Sequence, residues 1–398
     1  MHIGPHKTGT TAIQNTFAQS RDLLAEHGVL YPGTKVCHHY EAKALIRLRQ
    51  GWKNDGEEPP PTSVWTTFAH QLRDTPGRIV ISSEFLSEAD ASQRADLVND
   101  LGADRVHLLV GARNPAALAV SNWQQVIRTY GRSEELDSWL EDSFRRDETT
   151  EPNRFWRRAD TAALVRSFLE VLPLERITVV ALDENNRRLL PNTFEQLLGL
   201  PEGLLADQQT PRANRGLTAV EITFIRRINA LLDGHVRWDE YTRAMREGVI
   251  PRVLKRTPEP GEGKVPMPQW ALEQSVAEAD RNIAGLEATG VTIAGDLAPL
   301  RALPTQTALD APITQLPMDL AAQAVLGGIL SGRRYGRSLE REKKRAQRAQ
   351  KKQKAQARSG QKKQAARAPE PAPTLDDLDT RQLAAALARR VGAKLRRR

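Results

Sequence analysis

The chain has 398 residues and a formal net charge of +9, and this length allows a large core in one or two domains. The charge is unevenly placed, since residues 333–398 hold 22 basic and 6 acidic side chains while the remainder holds 36 basic and 43 acidic. Because the body is mildly acidic, the composition excludes a protein that binds nucleic acid over its whole surface.

The single cysteine, Cys37, excludes an internal disulfide framework and any multi-cysteine metal site. No apolar run approaches the roughly 20 residues needed to span a bilayer. The N-terminus lacks the charged and apolar regions of a secretory signal. We therefore expect a cytoplasmic protein in which Cys37 is reduced and packs as a small buried hydrophobic residue.

Short apolar strands alternate with longer helical patterns through the first half of the chain. The predicted strands are residues 1–3, 29–31, 78–82, 106–110 and 177–182. The predicted helices are residues 10–26, 40–48, 62–73, 91–101, 115–130 and 160–172. Near-continuous apolar strands separated by helices favour a parallel sheet covered on both faces. The sequence therefore predicts an α/β fold with three αβα layers around a central parallel sheet.

Beyond residue 182 the strand pattern fades and helical patterns follow. Residues 221–232 and 270–286 have helical periodicity. Between them, residues 247–268 are rich in Pro, Gly and charge, which predicts a long surface loop able to cover a substrate. We assign residues 1–310 to an α/β domain with a helical C-terminal portion, 311–338 to a linker and 339–398 to a basic tail.

The tail is a Lys/Arg/Gln/Ala tract, residues 339–367, followed by a Pro-rich spacer, residues 369–373. An apolar residue then recurs every fourth position from Leu383 to Leu395 among arginines, which predicts a short basic amphipathic helix. The charged segment contains one aromatic residue, Tyr335, so it lacks groups that stack on single-stranded bases. We expect it to contact an anionic membrane surface or an acidic partner, with a solubilising extension as the alternative, and not to read nucleic acid specifically.

One segment between the first predicted strand and the first predicted helix has the character of a phosphate loop. It reads Gly-Pro-His-Lys-Thr-Gly-Thr-Thr from Gly4 to Thr11, and a strand that enters a helix through such a turn presents N–H groups to an anion. Gly4 and Gly9 have the spacing of the nucleotide-triphosphate loop GxxxxGK[ST]. However, Thr10 occupies the position of the lysine, and the lysine lies three residues earlier as Lys7. An ordinary kinase or ATPase is therefore disfavoured.

This loop resembles the 5′-phosphosulfate-binding loop of the sulfotransferases that use 3′-phosphoadenosine 5′-phosphosulfate, and Gly-Pro before the lysine is similar to glycan sulfotransferases. The resemblance implies a P-loop-like fold without a metal. It also implies that Lys7, Thr8, Gly9, Thr10 and Thr11 bind the sulfuryl donor, and that Lys7 stabilises the departing oxygen during catalysis.

A second segment has the spacing of the donor's 3′-phosphate site in this family. Arg113 follows a predicted strand and Ser121 lies eight residues later on a predicted helix; the resemblance implies that both bind the 3′-phosphate. Arg215 and Gly216 are similar to the basic-glycine segment of cytosolic members and are weaker candidates for the same ligand. Ala12 stands where many members carry an adenine-stacking Trp, so the adenine site is unassigned.

Two positions compete for the base that accepts the proton from the acceptor, a role that the family gives to a His or a Glu. Glu84 follows a predicted strand, and a carboxylate at the carboxyl end of a parallel strand faces the ligand crevice. His38 and His39 are the alternative, at the distance beyond the loop where glycan-modifying members carry a catalytic glutamate. The adjacent histidines have no third ligand at metal-binding spacing, so no metal is expected.

The sequence leaves three functions open. The first is a sulfotransferase that acts on a hydroxyl or amine of a carbohydrate or small molecule. The second is a non-catalytic phosphate-loop protein that acts as a binding module through its basic tail. The third is a divergent nucleotide-dependent kinase, which Thr10 disfavours.

Overall fold

A computed structural model describes residues 1–49, 58–145, 154–208, 215–303, 313, 315–365 and 379–395. The chain forms two compact units, Met1–Gly332 and Arg333–Arg398. The predicted Pro-rich spacer at 369–373 and the residues just before Arg215 lie outside the described parts.

The strands of the first unit are parallel. Strands β1 (Val29–Leu30) and β2 (Arg78–Ile79) pair with each other, and β3 (Leu108–Ala112), β4 (Ile177–Ala181) and β5 (Thr292–Ala294) pair in that order. His2 connects the two groups through parallel bridges to Ser82 and Leu109. Each predicted strand thus has a counterpart, but the first consists only of the bridges of His2, β2 is shorter than predicted, and β3 begins two residues later. Sequence analysis missed β5, which is three residues long.

Helices make up most of the first unit. They are α1 (Thr10–Gln19), α2 (Arg21–Glu26), α3 (His39–Leu45), α4 (Thr62–Arg73), α5 (Ala91–Leu101), α6 (Pro115–Tyr130), α7 (Leu136–Ser143), α8 (Arg154–Ala159), α9 (Thr161–Leu169), α10 (Leu189–Leu198), α11 (Ala219–Leu232), α12 (Trp238–Tyr241), α13 (Ile250–Lys255) and α14 (Gln269–Glu287). Short 3₁₀ turns occupy Glu84–Glu88, Leu174–Arg176, Ala206–Gln208 and Ala298–Arg301. The predicted bounds of α4, α5 and α6 are confirmed, whereas the predicted helix 10–26 is interrupted at Ser20.

Alternate side chains of the central strands pack into different apolar clusters. In β3, Leu108 and Val110 belong to a cluster that includes residues of α3, α4, α5, α9 and α14. Leu109, between them, belongs to a second cluster with residues of α1, α2 and α10. The period-two pattern of a strand explains this division. An α/β fold built on parallel strands follows, with each face of β3 in contact with helices.

The predicted loop over 247–268 is partly wrong. Thr242–Val249 form a π-helical segment that continues directly into α13. Met245, Val249 and Val253 are buried in a third, mainly helical cluster. Burial of this apolar face favours helix despite the local density of charge and proline.

The C-terminal sequence is helical where it is described. Helix α15 covers Met318–Ala365 and α16 covers Thr380–Leu395, so α15 begins inside the predicted linker. Along α15 the residues from Gly332 to Gln353 are exposed. Within the described residues, no helix combines the length and apolar composition that crossing a bilayer requires.

A substitution in β3 tests how tightly the sheet holds the loop that precedes α1. A Cβ atom at Gly111 would lie 2.9 Å from the Cβ atom of Thr8, so we expect Gly111→Ala to lower the free energy of unfolding by about 1–3 kcal/mol through overpacking. Urea unfolding measures this change. Gly328→Ala is the matched control, because its Cβ atom would meet no atom within 4 Å and alanine favours a helix. Equal stability of the G111A variant and the native chain would contradict the described contact.

Candidate functional site

The loop that leaves the N-terminal bridge at the centre of the sheet is fixed by close backbone approaches. Gly4 has φ +86°, and a Cβ atom there would lie 2.9 Å from the Cβ atom of Glu84. The Gly4 carbonyl accepts a 2.7 Å hydrogen bond from the Gly111 amide. Only glycine combines this φ with this proximity. The residue types at these two positions therefore place the loop against both Glu84 and β3.

The loop presents unpaired backbone donors. Lys7 has φ +68°, and Gly9, with φ +78°, is the N-cap of α1 without a side-chain capping bond. Among the described residues, no protein acceptor bonds the N–H groups of residues 7–11. The start of α1 adds the positive end of the helix dipole. The segment is therefore suited to bind an anion.

The hydroxyl of Thr8 has a structural contact that the sequence did not indicate. Thr8 is fully buried and its Oγ1 donates a 2.6 Å hydrogen bond to the Pro5 carbonyl. Its side chain therefore stabilises the loop, and its backbone N–H is the group left for a ligand. Thr10 is also buried, whereas Gly9 and Thr11 are exposed.

Lys7 is partly buried within a concentration of positive charge. Burial, together with the charges of Arg128 and Arg113, lowers the pKa of Lys7 to about 8, although Glu84 opposes the shift. No hydrogen bond or ion pair of its ammonium group is found with the described residues. At neutral pH Lys7 is therefore a charged, incompletely compensated group beside the unpaired N–H donors.

Arg113 is in direct contact with the loop. Its Nη1 donates a 2.7 Å hydrogen bond to the Lys7 carbonyl, and its Nη2 lies 2.9 Å from the Glu184 carboxylate. Glu184 is more than half exposed, and an exposed pair of this kind contributes little stability. A phosphate could therefore replace Glu184 at small cost.

Ser121 lies on α6, half-buried, with no hydrogen-bond partner for its hydroxyl in the described part of the chain. Gly216 lies near the same helix, since its Cβ position would be 3.5 Å from Gln124 Oε1. Arg215 is differently engaged: both terminal nitrogens bond Glu221 at 2.7 Å, and one also bonds the Val253 carbonyl. Its guanidinium therefore belongs to a buried ionic cluster with Glu221 and Arg256.

Glu84 and His39, two candidates for the catalytic base, form an ion pair in which the Glu84 carboxylate lies 3.4 Å from His39 Nε2. The Nδ1 atom of His39 contacts Ser83 Oγ at 2.9 Å. Burial lowers the pKa of His39, but hydrogen bonds to Cys37 and Glu84 outweigh it and raise that pKa above its usual value. Burial raises the pKa of Glu84, but the bond to His39 and the charge of His39 outweigh it and lower that pKa. The pair is thus an imidazolium and a carboxylate at neutral pH.

His38 does not join this pair. It is buried, its Nδ1 accepts a 3.1 Å hydrogen bond from the Ser82 amide, and its Nε2 lies 3.1 Å from the Pro32 carbonyl. The Nε2 atom therefore carries the proton and donates to Pro32. Burial lowers the pKa of His38, which favours this neutral form. No ring nitrogen is left for a substrate.

Cys37 is half-buried, so the expectation of a fully buried side chain is wrong. Instead, the side chain of Cys37 forms a hydrogen bond with His39. Among the described residues, no cluster of three or more His, Cys, Asp or Glu side chains has the arrangement of a metal site.

Sequence analysis missed two side chains near the site. Gln14 of α1 donates from Nε2 to Ser82 Oγ at 3.1 Å and to Glu84 Oε2 at 3.2 Å. Arg128 of α6 lies seven residues after Ser121, on the same helix face, and joins Lys7 in the wall of a cavity. Helical spacing could have identified both residues, since Gln14 lies four positions after Thr10 and Arg128 lies seven positions after Ser121.

The His39–Glu84 pair can be tested by titration. We expect the His39 imidazole to titrate above 6.5, near the value of about 9 that its contacts indicate, and Glu84→Gln to lower this pKa because it removes the negative charge. Carbon-detected NMR of the histidine rings measures the change. Glu88→Gln is the matched control, since Glu88 contacts His6 at 2.8 Å. A His39 pKa that is unchanged in the E84Q variant would rule out the pair.

Sequence comparison assigns the chain to no family. No protein-family model matches it, and no curated protein matches it. A solved structure described as a sulfotransferase from Alicyclobacillus acidocaldarius is similar at 15% sequence identity with a TM-score of 0.42, and the match covers 75% of this chain and 97% of that one.

Proposed function

We propose that the chain is a sulfotransferase that moves a sulfuryl group from 3′-phosphoadenosine 5′-phosphosulfate to a hydroxyl or amine of a carbohydrate or small-molecule acceptor. The main support is the loop at residues 7–11, which combines consecutive unpaired N–H groups with the partly buried ammonium of Lys7. Fixed donors of this kind stabilise a group that carries several negative charges.

The donor's charged groups have separate candidate partners in this proposal. The 5′-phosphosulfate would bind the N–H groups of residues 7–11 and Lys7. The 3′-phosphate would bind Arg113 and the free hydroxyl of Ser121, with the guanidinium fork suited to phosphate oxygens. Gly216 lies near Gln124 of α6, so its backbone is a further candidate to bind the 3′-phosphate. Arg215 could bind the same phosphate only if its guanidinium gave up its hydrogen bonds to Glu221.

The reaction joins sulfur to the acceptor oxygen and breaks the bond from sulfur to the phosphate oxygen. Glu84 would accept the proton of the acceptor hydroxyl, and Lys7 would stabilise the negative charge on the departing oxygen. His39 is the positioning partner, because its contacts with Glu84 and Ser83 fix the carboxylate. His38 is left out of the catalytic proposal, since both of its ring nitrogens are occupied.

The low pKa of Glu84 in the free protein is consistent with this role. A bound polyanion places negative charge beside Glu84 and, by like-charge repulsion, raises the pKa of its carboxyl. Glu84 would thus become a stronger base when the donor is bound. Without the donor, the Glu84 carboxylate would remain a weak base.

The two alternative functions, a nucleotide-dependent kinase and a non-catalytic binding module, each fit the residues of the site less well. A nucleotide-dependent kinase would place a lysine after the second glycine of the loop, where this chain has Thr10. A non-catalytic binding module would not need the carboxylate–imidazolium pair of Glu84 and His39 beside the anion loop. We therefore favour the enzyme, with three αβα layers as the associated fold.

The tail has a separate place in the proposal. Residues 333–398 carry 22 basic and 6 acidic side chains, which suits long-range attraction to an anionic membrane surface or an acidic partner. A cytoplasmic enzyme with peripheral attachment fits this charge.

Binding of adenosine 3′,5′-bisphosphate, the desulfated product, tests the donor site. We expect it to bind more tightly than ATP, and its affinity to fall above about pH 8, because the free protein loses the Lys7 proton there whereas a bound anion retains it. Lys7→Met should abolish this pH dependence and weaken binding about tenfold or more. Isothermal titration calorimetry from pH 6.5 to 9.5 provides the measurement.

Lys255→Met serves as the control for this titration, since Lys255 is exposed at the end of α13. Tighter binding of ATP than of the bisphosphate would favour the kinase. Absence of binding to both nucleotides would reject the donor site.

The proposed base is tested by turnover. We expect Glu84→Gln to reduce sulfuryl transfer from labelled donor about 10²–10⁴-fold, because a general base contributes on this scale. The affinity for adenosine 3′,5′-bisphosphate should not fall, since the amide keeps the shape of the side chain and removes a charge of the same sign as the ligand. Glu88→Gln is again the matched control. Full activity of the E84Q variant would eliminate Glu84 as the proton acceptor.

A further inference from the structure

A cavity of about 250 Å³ opens beside the loop. Its lining residues are Lys7, Gln125, Arg128, Thr129, Arg246 and Ile250. Three of these side chains are cationic, two are uncharged and polar, and one is apolar; no carboxylate of the described residues lines the cavity. The cavity connects Lys7 to the C-terminal half of α6 and to the π-helical segment at Thr242–Val249.

The guanidinium of Arg128 is largely buried but forms few hydrogen bonds. Its Nε donates to the Gln124 carbonyl at 3.3 Å, while the described residues provide no partner for Nη1 or Nη2. Burial also lowers the pKa of its guanidinium. A desolvated cation without a counter-charge is unfavourable for folding. An anion bound between these side chains would supply the missing charge.

Arg246 enters the cavity from another element. Its guanidinium lies 5.9 Å from the centre of the Trp238 ring, a contact that orients the group. Arg128 and Arg246 thus provide forked donors from two different helices. A carboxylate or sulfate group has the geometry that such donors recognise.

The position of the cavity distinguishes it from the proposed donor site. Ser121, Gln125 and Arg128 follow one another on one face of α6, so the cavity begins one turn beyond the proposed 3′-phosphate ligand. At its other end the cavity reaches Lys7, where the sulfuryl group must be transferred. Ile250 adds one apolar wall for the carbon skeleton of a ligand.

We propose that the acceptor is itself an anion: a hydroxylated molecule whose carboxylate or sulfate group binds Arg128 and Arg246 while its hydroxyl lies near Lys7 and Glu84. This inference rests on the proposed sulfotransferase function. It extends that function by assigning a charge to the acceptor and by identifying the residues that select it.

The test compares two probes that differ by one carboxylate, 4-nitrophenyl β-glucuronide and 4-nitrophenyl β-glucoside. Each is titrated calorimetrically into the full chain saturated with adenosine 3′,5′-bisphosphate. We expect the glucuronide to bind at least about tenfold more tightly, since a hydrogen bond to a charged group contributes on this scale. Arg128→Gln and Arg246→Gln should each remove most of this preference, while the bisphosphate still binds to both variants.

Two further variants serve as controls. Arg128→Lys retains the charge and should retain part of the preference, which a variant that fails to fold would not do. Arg227→Gln removes an exposed arginine of α11 that does not line the cavity, and the preference should remain.

The outcomes separate this inference from the proposed function. If the bisphosphate binds but the glycosides bind equally or not at all, the charged-acceptor inference is wrong and the donor site stands. If the glucuronide displaces the bisphosphate, the two ligands share one site. The cavity is then part of the donor site, and the inference is also wrong. If wild-type protein binds the glucuronide through Arg128 but no bisphosphate, the proposed function fails and the anion site remains.

Discussion

The partly buried ammonium of Lys7 is the constraint on which the site depends. It lies within electrostatic range of Arg113 and Arg128, and the carboxylate that opposes them, Glu84, is already paired with His39. Folding therefore concentrates positive charge that Glu84 and the exposed Glu184 neutralise only in part. Such an arrangement is unfavourable for stability on its own, and a polyanionic ligand would remove the penalty. A site of this kind lowers the stability of the unliganded protein, and an anion that binds there would recover this free energy.

Parallel strands explain how distant parts of the sequence meet at this position. The loop follows the N-terminal bridge, Glu84 follows β2, and Arg113 follows β3 directly. The carboxyl ends of parallel strands lie on one edge of a sheet, where α/β proteins bind their ligands. Gly4 and Gly111 then allow the loop to approach the neighbouring elements closely. The order of the strands and these two glycines together position Lys7, Glu84 and Arg113.

Local pattern was sufficient to predict much of the fold. The predicted start of α6 at residue 115 is confirmed; Asn114 precedes Pro115 there, and the Asn114 side chain accepts a hydrogen bond from the Ala117 amide. The strand β5 was missed because three residues carry too little periodicity. The helical segment from Thr242 to Lys255 was also missed, because burial in a non-local cluster outweighs its local composition.

The site was predictable where a motif is contiguous and less so where it depends on packing. The glycine spacing of residues 4–11 predicted a phosphate loop, and Arg113 was predicted through the resemblance to sulfotransferases. Sequence alone could not decide between Glu84 and His39, because their contact joins residues 45 positions apart, and it could not show that His38 is occupied by main-chain groups. Arg246 follows no local motif, and only the tertiary fold places it beside Lys7.

A crystal structure of the complex with adenosine 3′,5′-bisphosphate would locate both phosphates. We expect the 5′-phosphate to accept hydrogen bonds from the N–H groups of residues 7–11 and from Lys7, and the 3′-phosphate to contact Arg113 and Ser121. A complex with both phosphates bound away from this loop, for example at Arg128 and Arg246, would contradict the proposed donor site.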